Sequence, residues 1–274
     1  MEQLLVDHGR CIQCGQCIYA CNRQILTAGP EGFPELPEEN AEQCNACGHC
    51  SAVCPVDAAV SPKCRGERAM PYPDAADTDF DEARKFILSL RSMRRYEQRP
   101  VPREEITAIL DVARKAPSAA NLQPVTWAVL SGKEKAERFT ALTMDWFDKE
   151  LRKDPVFTAR YDIDKMLERY RGGYDMILRG APNAVFALTD RDAAYGPVDA
   201  TIALTYFCLA AHAKGIGSCW GGFGMNAIKA YAPLRELMGF DDTVAVQGMV
   251  FFGYPELEYH AVPPRAPLRV KWVE

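Results

Sequence analysis

CIQCGQCIYAC at residues 11–21 and CNACGHCSAVCP at residues 44–55 decide how this chain is read. In each run three cysteines stand three residues apart and a fourth follows four residues later. The first run is Cys11, Cys14, Cys17 and Cys21; the second is Cys44, Cys47, Cys50 and Cys54, closed by Pro55. Short Cys-x-x-Cys turns let several thiolates converge on one small object. Three such cysteines cover three irons of a cubane, and the fourth of each run reaches the other cluster. The spacing therefore predicts two [4Fe–4S] clusters. Cys11, Cys14, Cys17 and Cys54 hold one, and Cys44, Cys47, Cys50 and Cys21 hold the other. Gly15 and Gly48 relieve crowding where backbone N–H groups approach the sulfurs. Zinc is the lesser reading, because four-cysteine zinc sites use two separated pairs.

The rest of the composition fits this reading. Nine of the 11 cysteines precede residue 65, yet a secreted disulfide scaffold fits poorly, since MEQLLVDHGR lacks the pattern of an export signal. Residues 1–75 hold 10 acidic and 5 basic side chains, and the remainder holds 27 of each, so the net charge of −5 sits in a small acidic module. That balance argues against a nucleic-acid or anionic-membrane partner. The best apolar stretch, Thr201 to Ala213, falls short of the roughly 18 residues of a membrane span. Cys64 reads as a bystander and Cys208 as core. With eight cysteines present, neither His8 nor His49 is needed as a ligand.

Prolines 55, 62, 71 and 73 mark a connector. Beyond it the pattern is mixed. Asp79, with Glu82 three residues on, starts a helix whose apolar side is Phe80, Ala83, Ile87, Leu88 and Leu90. A second helix runs from about Arg103 to Lys115. Helices follow at about 133–150 and 160–180, a long apolar one at 197–214, and short ones around 226–238. Strands are expected at 125–130, 185–188 and 243–253. Asp199 reads as a cap-like structural residue, and Tyr170 and Tyr174 as a substrate wall or a subunit contact. No GxGxxG after a strand and no P-loop occurs. Arg91, Ser92, Arg94 and Arg95 instead form a basic group suited to a phosphate, or a solvated helix end.

Residues 1–62 resemble the bacterial two-cluster ferredoxins, with Asn22 where proline usually follows the fourth cysteine. The strings RSMRRYEQRPVP, APSAANLQPVTW, GIGSCWGGFG and GYPELEYHAVPPRAPL resemble, in order and spacing, the FMN-dependent nitroreductases over about residues 80–274. The whole is similar to ferredoxin-fused nitroreductase-family proteins. The resemblance implies an α+β fold: a two-[4Fe–4S] ferredoxin-like domain over 1–62, a linker over 63–78, and a nitroreductase-like FMN domain over 79–274. It implies that Arg91, Ser92 and Arg94 clamp the FMN phosphate and ribityl chain, with Arg265 also reaching the phosphate. Pro117, Ser118 and Ala119 would cover the flavin from the neighbouring subunit, with Asn121 and Gln123 beside it. Cys219, Trp220, Gly221 and Gly222 would form a loop along the ring, acting through backbone N–H groups and not through the Cys219 thiol. That loop lacks the Glu of some members.

The implied protein is a homodimeric oxidoreductase with FMN at its interface and chemistry at the flavin, in a reducing cytoplasm. A low-potential donor would supply electrons through the clusters. A flat acceptor such as a nitroaromatic or quinone would take them. The alternatives are an electron carrier or complex subunit without its own substrate, a dehalogenating or flavin-destroying enzyme on the same fold, and a zinc-binding regulator.

Overall fold

The structure is a computed structural model that describes residues 4–61 and 78–274. Cys64 and nearly all of the expected linker over 63–78 lie outside the described residues. Those before Asp79 form one compact unit with Ser118–Leu122, and Asp79–Pro117 with Gln123–Glu274 form a second.

The first unit has little regular structure. In chain order it holds β1 (Leu5–Val6), α1 (Gln16–Tyr19), β2 (Thr27–Ala28), β3 (Pro34–Glu35), α2 (His49–Ala52) and β4 (Ala59–Val60). β1 pairs antiparallel with β4, and β2 with β3. Among the described residues its core cluster is Leu4, Ile25, Leu26 and Leu36. The cysteine repeat is also a conformational repeat. Gln13 and Ala46, two residues into each run, have φ 55° and 49°. Gly15 and Gly48, four residues in, have φ 71° and 76° and open α1 and α2. Gln24 and Asp57, three residues past each fourth cysteine, have φ 54° and 50°. Glycine bears this left-handed conformation without a Cβ penalty; the other four residues bear it under strain.

The second unit opens with α3 (Phe80–Ser89), where Asp79 accepts a hydrogen bond from the Glu82 N–H at 2.8 Å, as a capping residue does. α4 (Arg103–Ala113), β5 (Thr126–Ser131), α5 (Lys133–Lys149), α6 (Pro155–Tyr161) and α7 (Ile163–Arg171) follow. Then come β6 (Asn183–Asp190), α8 (Gly196–Ala213), β7 (Gly217–Trp220), α9 (Gly222–Ala230), α10 (Ala232–Met238) and β8 (Val244–Gly253). The sheet order is β5-β6-β8-β7, with every pair antiparallel.

Strand alternation divides the core in two. Ala184, Phe186 and Leu188 of β6 pack with Met249 and Phe251 of β8 beneath α5, α7 and α9. Val185 and Ala187 pack with Val250 and Phe252 beneath α4 and α8. The two central strands are thus apolar on both faces, which accounts for their unbroken hydrophobic runs.

Three sequence expectations differ. The helix expected over 160–180 is two helices, separated at Asp162 (φ 50°), and it ends at Gly172–Gly173. Of the expected apolar side of α3 only Leu90, just past the helix, packs partly against the core; no residue of α3 itself is buried, and Phe80 is 80% exposed. Cys219 and Trp220, expected in a loop with Gly221 and Gly222, instead belong to β7, which pairs along β8.

Phe207 is fully buried, edge-on to Phe252 at 5.2 Å between centroids and near Trp127 at 6.5 Å. Phe207→Ala should cost about 3–5 kcal/mol in guanidinium unfolding followed by circular dichroism. A loss below about 1 kcal/mol would mean the α8 face is not a packed core.

Candidate functional site

Two cavities in the first unit sort the cysteines. One is lined by Cys11, Cys14, Cys17 and Cys54. The other is lined by Cys21, Cys44, Cys47 and Cys50. Each takes three thiols from one run and the fourth from the other. Among the described residues no three metal-binding side chains converge on one ion's position; each set surrounds a volume instead. Burial pushes the Cys50 thiol up to about 11 and also raises Cys17. Burial opposes the Cys54 thiolate too, but N–H groups of Val56, Ala58 and Ala59 outweigh it and its pKa falls. The Ala58 N–H lies 3.1 Å from the Cys54 sulfur. His49 Nδ1 lies 3.0 Å from the Cys47 sulfur, and His8 stacks on Phe33 at 3.9 Å. Neither imidazole completes either four-thiol set.

In the second unit backbone bonds position the basic segment. Ser92 bridges Ser218 of β7 in parallel, and the Met93 N–H donates to Ser218 O at 2.9 Å. Gly217 makes this approach possible, since a Cβ there would stand 2.8 Å from Met93 Cβ. The Tyr96 hydroxyl donates to Met93 O at 2.7 Å, and Glu97 N–H to Tyr254 O at 2.9 Å. Arg91 to Tyr96 is therefore an extended strip along the sheet edge. The Arg91 Nε is buried without a hydrogen-bond acceptor. A buried guanidinium N–H left that way is costly, and an anion at this place would satisfy it.

Next to the strip lies a cavity of about 350 Å³. Arg94, Cys219, Trp220, Gly221 and Gly222 line it, as the motif reading grouped them. The Gly221 N–H, however, donates to Met249 O at 2.8 Å, so it is committed to the fold. The first-turn N–H groups of α9, from Gly222 onward, have no intrahelical partner and are the donors at this wall. Burial raises the Cys219 thiol against the pull of Arg94, Ser92 and Arg179, which keeps it protonated. Burial raises Cys208 in the same way, and Asp199 lies buried in the first turn of α8.

Other sequence candidates stand elsewhere. Arg265 is on the exposed, irregular C-terminal segment. Pro117 precedes the Ser118–Leu122 stretch that groups with the first unit. There Asn121 Nδ2 donates to the carbonyls of Asn45 and Ala46 at 3.2 and 3.0 Å. Ala120, Asn121 and Gln123 have φ between 49° and 57°.

Sequence reasoning missed part of the cavity. Phe157 and Tyr161 of α6, Phe223 of α9, and Met176 and Arg179 of the turn before β6 also line it. Tyr170 and Tyr174 do not; they pack against the core, and Tyr174 lies under Arg95 at 4.9 Å. Asp175 builds that turn, with one oxygen accepting from Ile177 and Leu178 N–H and the other from Gly180 N–H. The Thr140 hydroxyl adds a fourth bond at 3.2 Å. An Asp followed by a Gly five residues later, next to a predicted strand, was the one available signal.

The fold and the site define an α+β body preceded in the chain by a small thiol-rich unit. Residues 87–254 match the nitroreductase family and residues 5–61 match the 4Fe-4S dicluster domain. The chain belongs to the nitroreductase family and carries a ferredoxin-type dicluster domain before it. An NADH dehydrogenase of Thermus thermophilus is 28% identical over 65% of this chain and 88% of its own length. A 4-nitrobenzoate reductase of Pseudomonas putida is 26% identical over 65% and 86%. A nitroreductase with bound FMN from Desulfitobacterium hafniense DCB-2 superposes with a TM-score of 0.58 at 22% identity, covering 72% of this chain and all of that one. The chain is thus an oxidoreductase of this fold. No helix among the described residues is long and apolar enough to cross a membrane.

Asp175→Ala removes four hydrogen bonds to one carboxylate. It should lower stability by about 2–3 kcal/mol in urea unfolding. An unchanged midpoint would show that the turn is held by packing alone.

Proposed function

We propose that the chain is an FMN- and iron-sulfur-dependent oxidoreductase that reduces a flat organic acceptor with electrons entering through its own dicluster module. The observation that carries the flavin assignment is the buried, unpartnered Arg91 Nε on a strip bonded to the strand that lines the cavity. The relay is supported by two cavities that each gather four thiols. When bound, the clusters supply one-electron transfer and FMN supplies two-electron delivery to an organic acceptor.

The chain's own residues do the binding and orienting. Arg91, Ser92 and Arg94 hold the phosphate and ribityl oxygens, since guanidinium forks give several charge-assisted bonds to one anion. The N–H groups opening α9 donate to the polar edge of the ring. Phe157, Tyr161 and Phe223 form a linked aromatic wall, with centroid distances of 4.4 Å and 5.4 Å. That wall stacks a flat acceptor and displaces water from one side. No side-chain acid or base is required of the cavity, whose lining holds no carboxylate. Similarity to an NADH dehydrogenase and to a 4-nitrobenzoate reductase supports reduction of organic acceptors. The chain differs from a nicotinamide-driven reductase in carrying the eight cysteines, so reduced ferredoxin or dithionite is proposed as donor, in a compartment that keeps thiols reduced.

The functional form is proposed as a homodimer. Helix α3 buries no residue within the chain. Leu268, Trp272 and Val273 of the C-terminal segment are more than four-fifths exposed. Apolar surface of this extent marks an interaction site. Arg265 and the Pro117–Gln123 segment are proposed to reach the flavin in that assembly.

Anaerobic purification with iron, sulfide and FMN analysis tests the reading. About eight irons, eight sulfides and one FMN per chain are expected, all bleached by dithionite. Iron without flavin would favour the carrier alternative. Arg91→Ala should weaken FMN retention about tenfold or more while iron stays unchanged. Equal retention would return the basic strip to a solvated helix end. Rapid turnover on NADPH alone would refute the proposed donor.

A further inference from the structure

The cavity beside β7 is charged on one side only. Two guanidinium groups, Arg94 and Arg179, line it, and no acidic side chain does. Arg94 belongs to the strip assigned to FMN. Arg179 does not, and nothing in the flavin reading uses it.

Arg179 is held there at a cost. Its φ is 58°, a left-handed conformation that a long side chain rarely adopts. The Asp175 carboxylate keeps it so, by gripping the N–H groups on either side of it, at Leu178 and Gly180. Strained backbone of this kind persists where the surrounding structure over-determines it, and it concentrates at ligand-binding positions. The guanidinium itself has only neutral neighbours. One N–H reaches the Tyr174 hydroxyl at 3.1 Å and the Met176 sulfur at 3.8 Å, and the group lies 5.6 Å from the Tyr174 ring. Arg152 and Arg171 show the contrast, since both pair with Asp148. Among the described residues Arg179 has no carboxylate partner.

We infer that Arg179 recognises the carboxylate of an aromatic acid acceptor whose ring lies against the Phe157–Tyr161–Phe223 wall. The chemistry fits on both counts. A planar guanidinium offers a two-point fork that matches a carboxylate. An aromatic wall accepts a flat ring face or edge. The positive cavity also raises the local concentration of anionic substrates over neutral ones. Asp175 is the positioning residue, acting only through the turn that aims Arg179. The inference rests on the cavity being the acceptor site of the proposed flavoenzyme.

Calorimetric titration of the purified holoprotein with benzoate and with its neutral counterpart benzamide tests it, with FMN measured in the same sample. Benzoate should bind about tenfold or more tightly than benzamide. Arg179→Gln should abolish the preference while leaving FMN content unchanged. Arg179→Lys, which keeps the charge and loses the fork, should retain part of it, and this second variant decides the matter where the first does not fold. No preference in the wild type, or a full preference in Arg179→Gln, overturns the inference. The two readings fail separately. A sample without FMN defeats the flavoenzyme assignment while calorimetry still reads the anion preference, and a flavin-replete sample indifferent to charge defeats only the role of Arg179.

Discussion

The pairing of β6 with β8 is the constraint from which the catalytic body follows. Eight residue pairs join these strands, and a register shift falls between Ala187 and Leu188. Both strands bury alternate side chains on opposite faces, so each face must be covered by helices. α4 and α8 cover one side; α5, α7 and α9 cover the other. β7 then has one position left, at the edge beyond β8. Its open edge accepts the Met93 N–H and so places the Arg91–Tyr96 strip. A basic group that would repel itself in free solution is thereby aligned by neutral backbone bonds. Its side chains remain available for an anion.

The first unit follows another logic. Among the described residues four large buried aliphatic side chains make a small core, and small domains with such cores depend on metals or cross-links. Four non-glycine residues in left-handed conformation add strain, on the order of 1 kcal/mol each. The arrangement makes sense if metal–thiolate bonding supplies the missing stability, because metal binding then counts as folding free energy. The same turns recur at the same offsets from Cys11 and Cys44, and each cavity takes its fourth thiol from the other run.

What could be read from the chain reflects where local chemistry decides the outcome. Cysteine spacing is a local code, so both thiol sets were legible down to the exchange of Cys21 and Cys54. The Asp79 cap and the β6 run are local as well. Other features depend on tertiary context. Gly217–Trp220 is too short and too rich in small residues to announce a strand, and only the free edge of β8 makes it one. The Gly221 N–H looked available in sequence; Met249 O claims it. The stretch over 160–180 keeps helical spacing, yet Asp162 and Asp175 redirect it through side-chain-to-backbone bonds that compete with the helix.

That competition explains why the side of the cavity formed by α6 and the Asp175 turn was the least legible part. One wall, β7 and the start of α9, is anchored in the sheet and presents mainly backbone. The facing wall comes from the short helix α6 and from the Asp175 turn, whose Met176, Ile177 and Leu178 are buried in the core. The proposed recognition of a flat anion needs a guanidinium held at a defined angle. The Asp175 carboxylate meets that need by fixing the turn on which Arg179 stands. The turn keeps its shape through four hydrogen bonds, and Met176, Ile177 and Leu178 lock it into the core.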